Sequence, residues 1–283
     1  MEDGSHGSVT AMCGRYAASR GPEELAELFG VERWEPQESL APDWNVAPTK
    51  EVHVILDRPL KDAPGPRPVR QMRVLRWGLV PSWAQNPDGA ARMINARSET
   101  LAEKPSFRRP FAQRRCIVPA DGYYEWVTAH DERRLEVEGK KKRARKQPYF
   151  VLPADGSVFA MAGIYEFWRD RTLPDGHPHA WWATCSVITT EAETGPLAAA
   201  PDEGPRSLSE IHPRMPLMLT PDRWDAWLDP ANTDTEGSLQ QLLAPPPGGL
   251  MRAFPVSTAV SNVRNNGPEL LQELAAPEEG TLF

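Results

Sequence analysis

The chain is poor in cysteine. Cys13, Cys116 and Cys185 stand far apart among 283 residues, an odd number that builds neither a disulfide framework nor a paired Cys-x-x-Cys metal site. That scarcity fits a reducing compartment. No run approaches the roughly 20 apolar residues of a membrane span, and the first dozen residues carry no apolar signal core. A soluble, cytoplasmic protein is therefore expected, nucleoid-associated if its source is bacterial, with no membrane partner. His177 and His179 share a proline-flanked loop but do not amount to a metal site, so no metal and no cofactor are expected. Internal repeats and a clear linker are missing as well. One domain is expected over residues 12–283, behind a small, polar segment 1–11 that is either disordered or an extension of the start site.

What the chain does contain is proline, 30 residues, and glycine, 20, which punctuate it into many loops and short strands. Hydrophobic residues at 40% and charged residues at 25% are ordinary globular values and argue against wholesale disorder. The net charge of -7 argues against nucleic acid, yet the charge is unevenly placed. Basic residues gather at Arg67, Arg70, Arg73 and Arg76, at Arg108, Arg109, Arg114 and Arg115, and from Arg133 to Lys146. Acidic residues gather near the C-terminus, at Glu269, Glu273, Glu278 and Glu279. Such clusters are either solvated loop charge or a basic face that steers an anionic partner.

Periodicity predicts a short helix opening at Pro22 and stopped by Gly30, with Leu25, Leu28 and Phe29 on one face. Strands are predicted over 51–57, 69–77 and 93–97, then a helical segment capped by Ser106 that carries Phe107 and Phe111. Residues 115–119 and 122–127 read as a hairpin turning through Ala120, Asp121 and Gly122. Strands follow at 148–152, 157–164 and 181–189, with the basic run 133–147 as a hairpin tip before them. After a long loop to His212 come a strand at 215–219, a helix over 221–228, a short helix at 238–243, a strand near 252–257 and a helical piece from Pro268. Many short strands with few short helices make an α+β, strand-rich fold.

Several polar residues interrupt apolar contexts. Cys13 follows Met12, and a start at Met12 with methionine removal would leave one residue carrying both a thiol and an α-amine. One nucleophile can form a Schiff base with an aldehyde while the other closes a five-membered ring on the same carbon; the alternative is an ordinary buried cysteine. Asn95, behind Met93 and Ile94, can hold a hydroxyl or an oxyanion, or cap the turn at Ser98. Glu125 stands between Tyr124 and Trp126. A carboxyl desolvated by aromatic rings has a raised pKa and suits general acid and base work, unless strand alternation turns it to solvent. His212 is placed to project from a sheet rim and move a proton. Arg15, Arg97 and Arg214 each lie within two residues of one of these groups, and three guanidinium groups at one centre suit a phosphate backbone. Trp83 and Trp126 offer stacking faces for single-stranded nucleic acid, or plug a core.

Taken together, these segments resemble the SRAP family, named for the SOS response-associated peptidases. The resemblance is carried by Met-Cys-Gly-Arg-Tyr at 12–16, Asn-Val-Ala-Pro at 45–48, Trp-Gly-Leu-Val-Pro at 77–81 and Asn-Ala-Arg-Ser-Glu-Thr at 95–100. It continues through Ala-Asp-Gly-Tyr-Tyr-Glu-Trp at 120–126, His-Pro-Arg-Met-Pro at 212–216 and Val-Ser-Thr-Ala-Val-Ser-Asn-Val at 256–263. It implies mixed, barrel-like sheets with short peripheral helices. It also implies a monomer that binds single-stranded DNA containing abasic sites and joins its N-terminal cysteine to the ring-opened sugar as a thiazolidine. By matching motif, the catalytic set would be Cys13, Asn95, Glu125 and His212. Arg15, Arg97 and Arg214 would hold phosphates, while Asn45, Pro48, Trp83, Trp126 and Thr189 would line the DNA path. The implied chemistry needs a free α-amine on Cys13, exposed by translation from Met12 or by removal of residues 1–12; the first is favoured. Two alternatives remain open: a thiol peptidase that trims its own N-terminus, and a non-covalent binding module for single-stranded DNA.

Overall fold

Strand-forming stretches dominate the chain, and the computed structural model, which describes residues 14–59, 67–128, 146–198 and 204–274, arranges them as two sheets. The strands are β1 (Tyr16–Ala18), β2 (Asp43–Val46), β3 (Glu51–Pro59), β4 (Pro68–Trp77), β5 (Asn95–Arg97) and β6 (Arg115–Ala120). They continue with β7 (Gly122–Thr128), β8 (Lys146–Pro153), β9 (Phe159–Arg169), β10 (Trp181–Glu191), β11 (Arg214–Pro216) and β12 (Met251–Pro255). One sheet runs β12-β8-β7-β1-β2 and the other β11-β10-β4-β3-β6-β9. Because β9 also pairs β10, from Arg169↔Trp181 to Gly163↔Val187, the path β10-β4-β3-β6-β9 closes on itself as a barrel. β10 runs parallel to β4 and β5 and antiparallel to β9 and β11, so the sheet is mixed. The strand-rich α+β expectation with barrel-like sheets holds.

Alternation along the strands sorts the core into layers. Val52, Val54, Leu75, Cys116, Val118 and Cys185 of the barrel sheet share one hydrophobic cluster with Tyr16, Tyr123, Tyr149 and Val151 of the five-stranded sheet. Residues of opposite phase, among them Ile55, Ile117, Ala162 and Ile164, are covered by helices. These are α1 (Pro22–Phe29), α2 (Arg108–Gln113), α4 (Trp224–Leu228) and α5 (Ser238–Leu242), while α3 (Leu208–Ile211) packs against the first cluster. The far face of the five-stranded sheet, with Ala17, Tyr124, Phe150 and Phe254, is closed by Val260 and Leu270 from the C-terminal segment.

Helix α1 forms where its punctuation predicts, with Pro22 in the first turn and Gly30 at φ 63°, the left-handed cap conformation that glycine adopts without a Cβ clash. Two expectations are corrected. Residues 115–120 and 122–128 are consecutive strands but not a hairpin: β6 pairs β3 and β9, whereas β7 pairs β1 and β8. Asp121 is the crossing point between sheets. Its N–H donates to the Ala17 carbonyl at 2.7 Å and its carboxylate accepts the Ser19 N–H at 2.7 Å, so both faces of the turn are tied to β1 and its exit instead of to each other. Ser106 does not cap α2; the N-cap is Phe107, without a side-chain bond. Trp227 and Leu228 are buried against the barrel, because Trp227 donates its indole N–H to the Cys116 carbonyl at 2.9 Å. The basic run lies between β7 and β8, which do pair as a hairpin, and most of it falls outside the described residues.

Gly122 starts β7 where a Cβ would collide with the Val151 carbonyl oxygen and the Phe150 ring. Backbone cannot yield there without moving β8. Gly122→Ala should therefore cost about 1–3 kcal/mol, read as a lowered denaturation midpoint; an unchanged midpoint would show that β7 and β8 separate freely.

Candidate active site

The Trp-Gly-Leu-Val-Pro segment after β4 builds the floor under Asn95. Trp77 is almost fully buried, with its ring 5.1 Å from that of Tyr16 in an edge-on contact. Its indole N–H donates to the Ile94 carbonyl at 2.9 Å, and the Val187 N–H donates to the same oxygen at 2.9 Å. Gly78 bends away at φ 133°, where a Cβ would press on the Ala90 carbonyl, and its N–H bonds Cys185. These contacts set β5 parallel to β10, with Asn95 beside Val187 and Arg97 beside Thr189. Asn95 is half-buried and Arg97 exposed.

Glu125 does not face solvent. It is 4% exposed, and the alternation of β7 puts it on the side of Tyr123, toward the barrel sheet. From there it meets His212, the residue that ends α3: the Glu125 carboxylate lies 4.0 Å from His212 Nδ1. The Arg214 N–H donates to that same Nδ1 at 3.1 Å, and the Arg214 carbonyl lies 3.0 Å from it. With Nδ1 accepting, a neutral imidazole carries its proton on Nε2. With Nδ1 protonated, the ring donates to the Arg214 carbonyl and faces the carboxylate. The pair can exchange protons with a third group without either partner leaving its place.

Arg214 is anchored twice. Its guanidinium forks onto Glu99, at 2.6 and 2.9 Å, and donates to the carbonyl of the fully buried Thr189 at 2.6 Å. Thr189 thus ties Arg97 on β5 to Arg214 on β11. Glu99 was not among the residues singled out in the sequence, although it lies within the Asn-Ala-Arg-Ser-Glu-Thr segment.

A second cluster occupies the opposite face of the five-stranded sheet. Arg15 donates to the Asn45 side-chain oxygen at 2.8 Å and to the Val260 carbonyl at 3.0 Å, and its guanidinium lies 5.9 Å from the centre of the Trp126 ring. Burial lowers the Arg15 pKa from its ordinary value. Asn45 is fully buried, and its amide N–H groups donate to the carbonyls of Val260, Asn262 and Asn265. It therefore presents no surface to a ligand; it fixes Arg15 and the strap 257–265. Trp126 donates to Ser261 Oγ at 3.0 Å, another partner the sequence reading did not single out despite the 256–263 motif. Pro48 is half-buried in the turn before Thr49, whose N–H bonds the Trp77 carbonyl. Asn45→Ala should release the strap and cost about 3 kcal/mol by leaving buried carbonyls unpaired; a calorimetric loss below about 1 kcal/mol would contradict that role.

The two tryptophans of the 77–83 loop divide the roles expected of them. Trp77 is the plug, whereas Trp83 is 62% exposed on a loop pinned by the Trp168 indole N–H to the Ala84 carbonyl at 2.7 Å. Half of the arginines in the two described clusters are spent on carboxylates. Arg67 pairs Glu32, Arg70 pairs Asp57 and Asp225, Arg73 pairs Glu38, and Arg114 pairs Glu166. Arg115 is buried. Cys13 lies outside the described residues; Cys116 and Cys185 are fully buried thiols with pKa values pushed up by burial, Cys185 to about 12. Among the described residues no group of three or more metal-ligating side chains occurs, and no helix is long and apolar enough to cross a membrane.

The family model described as "SOS response associated peptidase (SRAP)" matches residues 12–263. The chain belongs to the SRAP family. It is 36% identical over 261 residues to the abasic site processing protein YoqW of Bacillus subtilis, covering 92% of this chain and 99% of that one. It is 29% identical over 302 residues to the abasic site processing protein HMCES of Gallus gallus, covering 95% of this chain and 80% of the relative. A crystal structure of a Bacteroides thetaiotaomicron protein superposes with a TM-score of 0.69 at 25% identity, over 93% of this chain and all of that one. The SRAP match spans both clusters and the segments that hold them, from the strand entry at Arg15 to the strap at Val263.

Proposed function

We propose that this SRAP protein captures abasic sites in single-stranded DNA by a covalent bond to Cys13. The observation that supports it most is the buried Glu125 carboxylate set against His212 at 4.0 Å, in a strand whose neighbour leads directly back to Cys13. The pairing of β1 with β7 extends to Arg15, whose carbonyl accepts the Tyr124 N–H at 2.9 Å. Cys13 precedes Arg15 by two residues, at most about 7 Å of extended chain. The curated relatives named as abasic site processing proteins support the same reading.

The steps balance without a metal or an oxidant. Glu125 and His212 relay the proton that opens the sugar hemiacetal to its aldehyde. The α-amine of Cys13, with an ordinary pKa of about 7.7–8.0 and so substantially neutral near physiological pH, adds to the aldehyde carbon, and loss of water gives the imine. The thiol then adds across the C=N bond, sulfur to carbon and proton to nitrogen, closing the thiazolidine. Asn95 orients the opened sugar. Arg97 and Arg214 on one face, and Arg15 on the other, hold phosphates, and Trp83 supplies a stacking surface.

The test is protein beginning at Cys13, mixed with single-stranded oligonucleotides with or without an abasic site and run on a denaturing gel. A slow band should appear with the abasic strand alone and vanish for Cys13→Ala. A band that survives Cys13→Ala, or none at all, refutes the reading. Self-trimming of residues 1–12 would appear as a mature mass that is lost in Glu125→Ala or His212→Ala.

A further inference from the structure

Arg214 meets a carboxylate in the way it would meet a phosphate. Both Glu99 oxygens face its terminal nitrogens, at 2.6 and 2.9 Å, in the two-pronged geometry that makes arginine a phosphate ligand. The two partners differ in exposure. The Glu99 side chain is 45% exposed and the Arg214 side chain 14%, so the glutamate forms the rim and covers the guanidinium. Burial pushes the Glu99 carboxyl up, but the hydrogen bonds and charge of Arg214 outweigh it and hold the group below its ordinary value. It is therefore an anion at neutral pH.

We propose that Glu99 is a tethered competitor for DNA phosphate: it occupies Arg214 in the free protein and is displaced when a strand binds. The inference rests on the reading of single-stranded DNA as the ligand. A phosphate bonded to the Arg214 terminal nitrogens would share that guanidinium with a second anion, and like charges at such a separation repel. Displacement moves the glutamate and leaves the arginine. Arg214 keeps its 2.6 Å bond to the buried Thr189 carbonyl, whereas Glu99 is the exposed residue of the turn 98–100, with solvent to swing into. Arg97, exposed and two residues before Glu99, needs no such exchange. It makes the first phosphate contact, and Arg214 engages where the course of the strand presses a second phosphate against the rim. The consequence is selectivity, because a strand that cannot reach both positions gains from Arg97 alone.

The exchange has a salt signature. A phosphate that displaces Glu99 meets an arginine already neutralised from within, so removing the carboxylate charge should both strengthen binding and add to its salt dependence. The experiment is fluorescence anisotropy of a labelled single-stranded oligonucleotide without an abasic site, over a series of salt concentrations, with the full chain carrying Cys13→Ala to exclude covalent capture. Glu99→Gln and Glu99→Ala should each bind about fivefold tighter at low salt, the scale of one part-exposed ion pair, with a log–log salt slope steeper by about 0.7, the value for one phosphate of a single strand. In an Arg214→Ala background the Glu99 substitutions should have no effect. Glu99→Gln keeps an amide oxygen for Arg214, so it decides the matter if Glu99→Ala loosens the fold. Binding that is unchanged or weaker in Glu99→Gln, at an unaltered thermal midpoint, overturns the competitor role and makes Glu99 a support for Arg214. Failure of the Glu99-intact protein to bind the strand would overturn the DNA reading itself, a result distinct from the first.

Discussion

Glu125→Gln, in protein beginning at Cys13, should slow crosslinking to an abasic strand by about 10²–10⁴-fold, the range for loss of a general acid–base group, while binding to an unmodified strand stays the same. The amide fits the same space between the sheets but cannot take or give the proton that sugar opening and imine formation require. The carboxylate is 4% exposed, and His212 is an ionisable partner within 4.0 Å, so bulk water is poorly placed to substitute. His212→Gln should slow the reaction less, since Glu125 remains. The double substitution should cost little more than Glu125→Gln alone, because groups that pass one proton act as a unit. Single-turnover gel assays separate the cases. Equal rates for Glu125→Gln and unaltered protein would remove Glu125 from the chemistry.

A stability effect as large as that at Asn45 is expected at Arg115. This guanidinium is 3% exposed and makes no ion pair among the described residues; it donates instead to five carbonyls, those of Phe111 and Ala112 at the end of α2 and of Trp227, Asp229 and Asn232 at the end of α4 and in the turn after it. It holds two helix ends against the barrel, satisfying carbonyls that a terminating helix leaves open. Burial pulls its pKa down to about 10, so it stays a cation at neutral pH. Arg115→Met keeps much of the volume but removes every donor. Five lost bonds at ~1 kcal/mol each, less the relief of no longer burying a charge, leave a loss of about 3 kcal/mol. For a chain of this size that lowers Tm by roughly 10 °C. Arg115→Lys, with one ammonium for five acceptors, should fall between. A Tm within about 2 °C of the unaltered protein for Arg115→Met would mean that water or backbone rearrangement satisfies those carbonyls.

The strands and the individual polar residues were legible in the sequence, but what they pair with was not. Alternation located β6 and β7 to within a residue, yet a two-residue break reads as a hairpin whether the next strand turns back or crosses to another sheet. The deciding contacts, Asp121 to Ala17 and Ser19, are 102 or more residues apart in the chain. Glu125 was legible as a carboxyl among aromatics, whereas its facing inward follows from the second sheet, which no local pattern describes. The charge clusters misled in a different way. Arg67, Arg70, Arg73 and Arg114 look like a basic face in one dimension and are neutralised by carboxylates brought in from remote segments. Glu99 and Ser261 escaped notice for a like reason: each is an ordinary exposed residue until Arg214 or Trp126 is placed beside it.

The central claim is that Cys13 reacts through its thiol and its α-amine together, and intact mass tests it most directly. Protein beginning at Cys13 and protein retaining Met12, each incubated with the same abasic single-stranded oligonucleotide, should differ completely. The first should give a species equal to the sum of both masses less one water, as the thiazolidine requires, and the second should give none. An equal yield of adduct from protein that still carries Met12 would contradict the account, because its Cys13 nitrogen is an amide and cannot form the ring.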